Sequence, residues 1–411
     1  MLAYRPGQGF THDTLAAIPA IGAFFCRTVG ATVFVAWVAD ALLRKQYRRA
    51  MLRSALACLC VGTWLAYVRS VESSPEYSKP TYGYQRADYL FYNVSYAKNV
   101  SYIDPYRPER GKTSAWDFFN RFLTNVLAAP ENVGEAITSY KTFMVLQVNA
   151  LNRCIGFSLI PENFVPRFLI GIGFLSLSGI VLLLVRREWG IAIYVFVSVL
   201  VLCAISPWPA QQVRYLVPVV PSFLLGLVEC VRSLSMRSGS TSRAWRTSWR
   251  LSTAVLMIVI TSELLVNYCQ VHKSFFKDVS VRNRLGLEVP YRQICYGNEL
   301  IAMDEAVDWV GEHAATGDIV AASMPHWIYL RTGLKSVMPP LEVNPAKTMT
   351  LLRSVPVRFL LHETPAFFTW RYVDAAVRAY PDEWRLVHTA RKDREAVFVY
   401  ERAVKPVVAE P

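Results

Sequence analysis

Charged residues are scarce in this chain, and it lacks the motifs that bind metals or cofactors. Only 18% of its 411 residues are charged and 53% are hydrophobic, and the mean hydropathy is +0.25. No Gly-rich phosphate loop, HExxH motif or zinc-type spacing of Cys and His is present, so the sequence predicts no metal site and no cofactor. Most of the eight cysteines lie in or beside apolar runs, as small core residues do. This composition is typical of a membrane protein.

Long apolar runs predict an α-helical polytopic membrane protein with about six transmembrane helices. Each run is compared with the roughly 20 apolar residues that are needed to cross a bilayer. The third and fourth runs are uninterrupted, whereas Arg27 interrupts the first. The six predicted spans are 15–43, 52–68, 168–185, 190–206, 215–231 and 251–268.

Basic residues between these runs predict the orientation of the chain. The segments 44–53, 186–188 and 232–250 are rich in Arg and Lys, and the last contains no acidic residue. The positive-inside rule assigns all three to the cytoplasm. Because they flank membrane spans, a nucleic-acid partner is not expected. The predicted location is a bacterial inner (plasma) membrane, with a multi-pass topology and an extracytoplasmic C-terminal domain.

Composition divides the chain into four regions. Residues 1–68 hold the first two spans, and 69–167 form an extracytoplasmic loop with interfacial helices. Residues 168–269 form a four-helix membrane region, and 270–411 form an extracytoplasmic α/β domain. Within the loop, one helical pattern is strongly apolar on one side, which either lies flat at a membrane interface or packs against the rest of the loop. Its apolar residues are Trp116, Phe119, Phe122, Leu123 and Leu127.

The C-terminal region alternates strand-like and helical segments, which is typical of a partly parallel sheet. Helices are predicted at 299–314, 345–354 and 369–380. Strands are predicted at 318–323, 335–338, 357–363, 384–390 and 395–401, the last two as a hairpin.

The stretch SPWPAQQVRYLVPVVP (206–221) places polar residues between two apolar runs. Arg214 therefore opens a predicted membrane helix at its outer boundary. One interpretation is that its side chain reaches the membrane interface simply to keep its charge in water. The other is that its planar guanidinium group binds a lipid phosphate, with Gln211 and Gln212 supplying hydrogen bonds to a sugar.

Two segments carry a resemblance to a known family. The run RYLVPVVP (Arg214, Tyr215, Pro218, Pro221) and the segment 304–340 resemble the C-type superfamily of bacterial membrane glycosyltransferases, in particular the protein O-mannosyltransferase-like and aminoarabinose-transferase-like enzymes of family 39. The resemblance implies transfer of a sugar from a polyprenyl-phosphate donor at the extracytoplasmic face. It also implies that Arg214 binds the carrier phosphate and that Tyr215, Gln211 and Gln212 line the site.

The chain departs from this family where the catalytic base should be. Members carry a carboxylate in the first external loop, and no acidic loop follows the first predicted span here. Three alternatives follow. The chain is the C-terminal half of a longer enzyme or of a split one whose partner chain supplies the missing N-terminal half; or the protein binds a lipid-linked sugar or assists assembly without catalysis; or another external carboxylate substitutes. The external candidates are Asp13, Glu72, Glu76, Asp88 and Asp104. Asp88, with Arg86 and nearby aromatic residues, is also a candidate sugar-binding surface.

Overall fold

A computed structural model describes residues 10–79, 100–157, 160–161, 163–237, 280–283, 285–290 and 297–403. It also describes residues 247, 251, 254, 257–258, 260–266 and 268–269. The chain divides into a helical unit, residues 1–74 and 114–268, and a sheet unit, residues 75–113 and 269–411. Each unit has its own core.

Besides residues 260–266, which are also helical, nine helices of the helical unit have described bounds. They are α1 (Phe10–Cys26), α2 (Ala31–Leu43), α3 (Tyr47–Glu72), α4 (Ala115–Ile137), α5 (Lys141–Ile155), α6 (Phe164–Val185), α7 (Trp189–Ile205), α8 (Gln212–Leu216) and α9 (Val220–Arg237). Short 3-10 turns at Thr28–Gly30, Pro209–Gln211 and Val217–Val219 link α1 to α2 and bracket α8.

The prediction of six spans is not supported. In the described part of the chain, three helical segments are long and apolar enough to cross a membrane: Tyr47–Glu72, Phe164–Val185 and Pro209–Leu234. The predicted first span is broken at Arg27 into two shorter helices. The predicted fourth span is the 17-residue helix α7, about 25 Å long at 1.5 Å per residue, and a hydrocarbon core is about 30 Å thick. The predicted sixth span is described only in part.

Glycine residues let the central helices approach backbone to backbone. On α6, a Cβ atom added at Gly179 would lie 1.6 Å from the carbonyl oxygen of Gly226 on α9. One added at Gly173 would lie 1.8 Å from the Pro130 carbonyl oxygen on α4. Ser176 adds a hydrogen bond from its hydroxyl to the Phe223 carbonyl at 2.7 Å. Small residues at crossings, with a hydroxyl bonded across them, are typical of membrane helices.

Helix α4 exposes the aromatic face of its first part, while apolar residues near its end are buried. Trp116, Leu123 and Leu127 are 68%, 44% and 73% exposed, whereas Asn125 and Asn132 on the other face are buried. The buried face contacts α6 and α7. The aromatic face is therefore exposed, and the choice between a membrane interface and packing against the rest of the loop stays open because residues 80–99 of the loop lie outside the described residues.

The three basic segments contact one another at one end of the helical unit. Arg44 donates to the carbonyl oxygen of Arg187 at 3.2 Å. Glu229 pairs with Arg186 and, at 3.4 Å, with Arg232. The orientation of this end relative to a membrane stays a prediction.

The sheet unit contains a five-stranded sheet of order β4-β3-β5-β7-β6. Its chain order is β1 (Ser280–Arg282), β2 (Glu288–Pro290), α10 (Asn298–His313), β3 (Ile319–Ala321), α11 (Pro325–Thr332), β4 (Lys335–Val337), α12 (Pro345–Arg353), β5 (Val357–His362), α13 (Trp370–Ala379), β6 (Trp384–Lys392) and β7 (Glu395–Arg402). Strands β1 and β2 form a separate antiparallel pair. The predicted alternation and closing hairpin are confirmed.

Strand alternation explains the two cores of this unit. Ile319 and Ala321 pack on one face of the sheet with α12 and α13, and Val320 packs on the other face with α10. Strand β3 pairs in parallel with β4 on one side and with β5 on the other. The chain therefore reverses its winding direction at β3, and this switch point is where open α/β sheets bind ligands.

Candidate functional site

The polar turn before α9 carries the candidate site. Pro209 begins the 3-10 turn that leads into α8, and Pro218 lies in the next turn, before α9. Proline removes a backbone donor and fixes φ, so these residues favour short turns over one continuous helix. The turns expose Arg214 and leave Tyr215 half-buried at the edge of the helical core.

Two arginine side chains converge on the Tyr215 ring. The guanidinium carbon of Arg214 lies 4.7 Å from the ring centroid, and that of Arg27 lies 4.9 Å from it. Arg214 also donates to the Tyr215 hydroxyl at 2.8 Å. Arg27 reaches this position because the chain breaks there, between α1 and α2, and Val29 packs against the same core as Tyr215.

The local charge at Tyr215 is positive. Within the described residues, neither Arg27 nor Arg214 has a carboxylate within 4.0 Å. Both side chains are exposed, so their donors can reach an external group. A guanidinium group offers paired donors that match phosphate oxygens, and both guanidinium groups contact the Tyr215 ring.

Two buried amides on α4 hold the turn in place. The Asn125 amide donates to the carbonyl oxygens of Cys203 and Ser206, at 2.9 and 2.8 Å, at the end of α7. The Asn132 amide donates to the Pro209 carbonyl at 3.1 Å and to the Gln212 side-chain oxygen at 3.0 Å. These bonds satisfy carbonyl groups that a helix end leaves without partners.

The predicted site residues take different positions. Arg214 and Tyr215 are in direct contact, and Gln211 is half-buried in the adjoining turn. Gln212 is 1% exposed and bonded to Asn132, which makes it a positioning residue for the turn. Arg86 and Asp88 lie outside the described residues.

The candidate carboxylates are placed as follows. Asp104, in the sheet unit, accepts from the Tyr106 backbone N–H at 3.0 Å and lies 3.8 Å from Arg110. Glu72 ends α3 and is exposed. The side chains of Asp13 and Glu76 are outside the described part, as is Asp88. Glu263 is a further carboxylate, within the predicted sixth span, and it accepts a hydrogen bond from the Gln147 amide at 2.7 Å in the amide orientation that satisfies both groups.

Sequence reasoning missed three residues of this site. Arg27 interrupts an apolar run, and an isolated charge in such a run is itself a functional signal. Asn125 and Asn132 are seven residues apart, and so lie on one face of α4, opposite to its aromatic residues. A polar stripe on an otherwise apolar helix is a signal for buried hydrogen bonding in a membrane protein.

The sheet unit buries one carboxylate at its switch point. Glu363 follows β5 and is 1% exposed. It accepts from the backbone N–H and hydroxyl of Ser323 at 2.8 and 2.7 Å, and from the Thr369 hydroxyl at 2.8 Å. Burial raises the pKa of Glu363 to about 7, against the opposing effect of these three donors.

No metal centre is formed by the His, Cys, Asp and Glu side chains in the described ranges. Comparison of the chain with protein families, curated proteins and solved structures found no match.

Proposed function

We propose that the helical unit binds the phosphate of a lipid carrier at Arg214 and Arg27. On this proposal the chain is a glycosyltransferase-like membrane protein that acts on a polyprenyl-phosphate-linked sugar at the extracytoplasmic face. The observation that carries the proposal is the convergence of two arginines, without a carboxylate partner in the described residues, on Tyr215 at the start of an apolar segment.

The chemistry of the pair suits a lipid phosphate. A phosphate monoester or diester is anionic, and two guanidinium groups can share its oxygens through charge-assisted hydrogen bonds. The apolar segment Pro209–Leu234 begins five residues before Arg214 and offers a surface for the lipid tail. Contact with the Tyr215 ring limits the freedom of each guanidinium group before binding and thereby lowers the entropy lost on binding.

Binding of the lipid phosphate is common to two versions of the proposed function, one catalytic and one limited to binding. Glycosyl transfer needs a base near the acceptor hydroxyl. No carboxylate is assigned to that role, so the alternative is a protein that binds the lipid-linked sugar without transferring it. A partner chain that supplies the base fits the first form.

The test is binding of a polyprenyl phosphate to the full chain in detergent micelles. Loss of a charge-assisted contact in R214A or R27A should weaken the Kd by roughly 10-fold to 100-fold. R167A removes an exposed arginine in the first turn of α6 and should leave the Kd unchanged. Polyprenol, which lacks the phosphate, should bind weakly to every variant.

R214K separates the two interpretations of Arg214. Lysine can also extend to the interface, but it cannot form the paired contact with phosphate. If R214A binds as tightly as the parent chain, the phosphate role is wrong. For the parent chain, release of polyprenyl phosphate from the sugar-loaded donor distinguishes sugar transfer from binding alone.

A further inference from the structure

A cavity of about 380 Å³ opens in the sheet unit beside the switch point. Its volume is in the lower part of the roughly 300–1,000 Å³ range of small-molecule sites. The lining residues are Tyr106, Arg107, Pro365, Phe367, Phe368, Trp370 and Arg371.

The fold supports this cavity from both sides. Three of its lining residues, Pro365, Phe367 and Phe368, belong to the loop that joins β5 to α13. This loop starts at the buried Glu363. The opposite wall is held by Tyr372, whose hydroxyl donates to the Tyr106 carbonyl and also bonds Glu109, at 2.9 and 2.8 Å. A binding site needs this kind of rigid support.

The walls combine aromatic surface with positive charge. The rings of Tyr106 and Phe368 pack at 4.9 Å and form one continuous apolar surface. Arg371 is paired with Glu109 at 3.1 Å, so its charge is partly balanced. Arg107 is exposed and, among the described residues, has no carboxylate within 4.0 Å.

A buried hydroxyl next to the cavity lacks a partner. Thr364 is 2% exposed, and its side-chain oxygen makes no hydrogen bond in the described structure. It immediately precedes Pro365 of the cavity wall. Buried hydroxyls are nearly always bonded, so a polar partner for Thr364 is expected, although Thr364 itself does not line the cavity.

We infer that this cavity binds a sugar ring that carries a phosphate. The apolar C–H face of such a ring fits the aromatic surface, and Arg107 takes the anion. Most of the lining residues are half-buried, so the ligand keeps one edge in water. The hydroxyl groups on that edge of the sugar can form hydrogen bonds with water. This inference uses only the sheet unit and does not depend on the proposed lipid site.

Isothermal titration of the full chain in micelles with glucose 6-phosphate tests the inference. The parent chain should bind, and R107A should weaken the Kd roughly tenfold or more, because a charge-assisted contact is lost. R107E should abolish binding. R391A removes an exposed arginine from β6 and should bind like the parent. Unchanged binding in R107A overturns the inference.

Three further probes test the ligand class. Glucose and inorganic phosphate should each bind at least tenfold more weakly than glucose 6-phosphate, because each makes only half of the contacts. If inorganic phosphate binds as tightly, the aromatic surface has no role and the inference fails. If adenosine monophosphate binds more tightly than glucose 6-phosphate, the sugar assignment is overturned. Absence of binding by glucose 6-phosphate also refutes it.

Discussion

The helical unit leaves far more large apolar side chains exposed than the sheet unit does. In the sheet unit, Val307 and Val320 are fully buried, as in a protein core formed in water. In the helical unit, Asn125 is 0% exposed while Leu127, two residues later, is 73% exposed. An amide inside and a leucine outside are compatible with helices surrounded by lipid, where backbone and polar groups must find partners within the protein. The contrast is compatible with insertion of some helices of the helical unit into a membrane.

Substitution of one glycine should break the packing of the helical unit. In G179A, the new Cβ would lie 1.6 Å from a backbone oxygen of α9, and backbone cannot move aside cheaply. We expect a loss of about 3 kcal/mol or more, at the upper end of overpacking effects. G171A is the matched control on the same helix, since nothing lies within 4 Å of its Cβ position. Thermal unfolding in micelles, followed by circular dichroism, measures both, and equal midpoints would contradict the close approach.

The buried carboxylate of the sheet unit should make its stability depend on pH. Because the folded unit keeps the Glu363 proton at pH values where the unfolded chain has lost it, stability is full below pH 4.5 and falls as pH rises through about 7. The shift corresponds to about 3 kcal/mol. E363Q removes the titration, and E305Q is an exposed control.

Urea titrations of the full chain at pH 5, 6, 7 and 8 measure this effect. Over that interval, the free energy of unfolding of the parent chain should decline relative to that of E363Q. The curve for E305Q should run parallel to the curve for the parent chain. Parallel curves for the parent and E363Q would show that Glu363 has no raised pKa.

Removal of one buried amide should test the polar interior of the helical unit. N125A leaves the carbonyl groups of Cys203 and Ser206 without their side-chain donor. Each unsatisfied group costs about 1 kcal/mol or more, so we expect a loss of about 2 kcal/mol. N120A removes an exposed amide from the same helix and should cost little. Equal losses in both variants would mean that the buried bonds contribute nothing.

The smallest expected effect concerns a hydroxyl pair between α2 and α7. Ser198 donates to the Thr32 hydroxyl at 3.1 Å, and both residues are buried. Hydrogen bonds between membrane helices average about 0.6 kcal/mol, so S198A should lower stability by that amount. Thermal unfolding in micelles checks it. S178A, on the exposed face of α6, provides the baseline, and a loss above about 2 kcal/mol in S198A would place this pair outside the membrane range.

The helices and strands of the sheet unit were predictable from the sequence, but the order in which its strands pair was not. The strand predicted at 395–401 is β7, and the helix predicted at 299–314 is α10, because alternation and helical periodicity are local properties. The placement of β5 between β3 and β7 follows from side-chain packing between distant segments. The cavity beside the switch point depends on that order and could not be read from local patterns.

The candidate site of the helical unit was predicted only in part. Arg214 and Tyr215 were identified from the polar turn and from the family resemblance. Arg27 is nearly 190 residues away in sequence, and its approach to Tyr215 depends on the break between α1 and α2. Six spans are not supported in the described residues, because hydropathy does not measure where a helix ends.

The sequence by itself determined the apolar character of the first part of the chain, the alternating elements of the last part and the position of the polar turn. These features depend on composition and on neighbouring residues. Tertiary structure decided which face of α4 is buried, which glycines meet a backbone and which two arginines share Tyr215. These outcomes depend on contacts between residues far apart in the chain, and such contacts form only when whole helices and strands pack together.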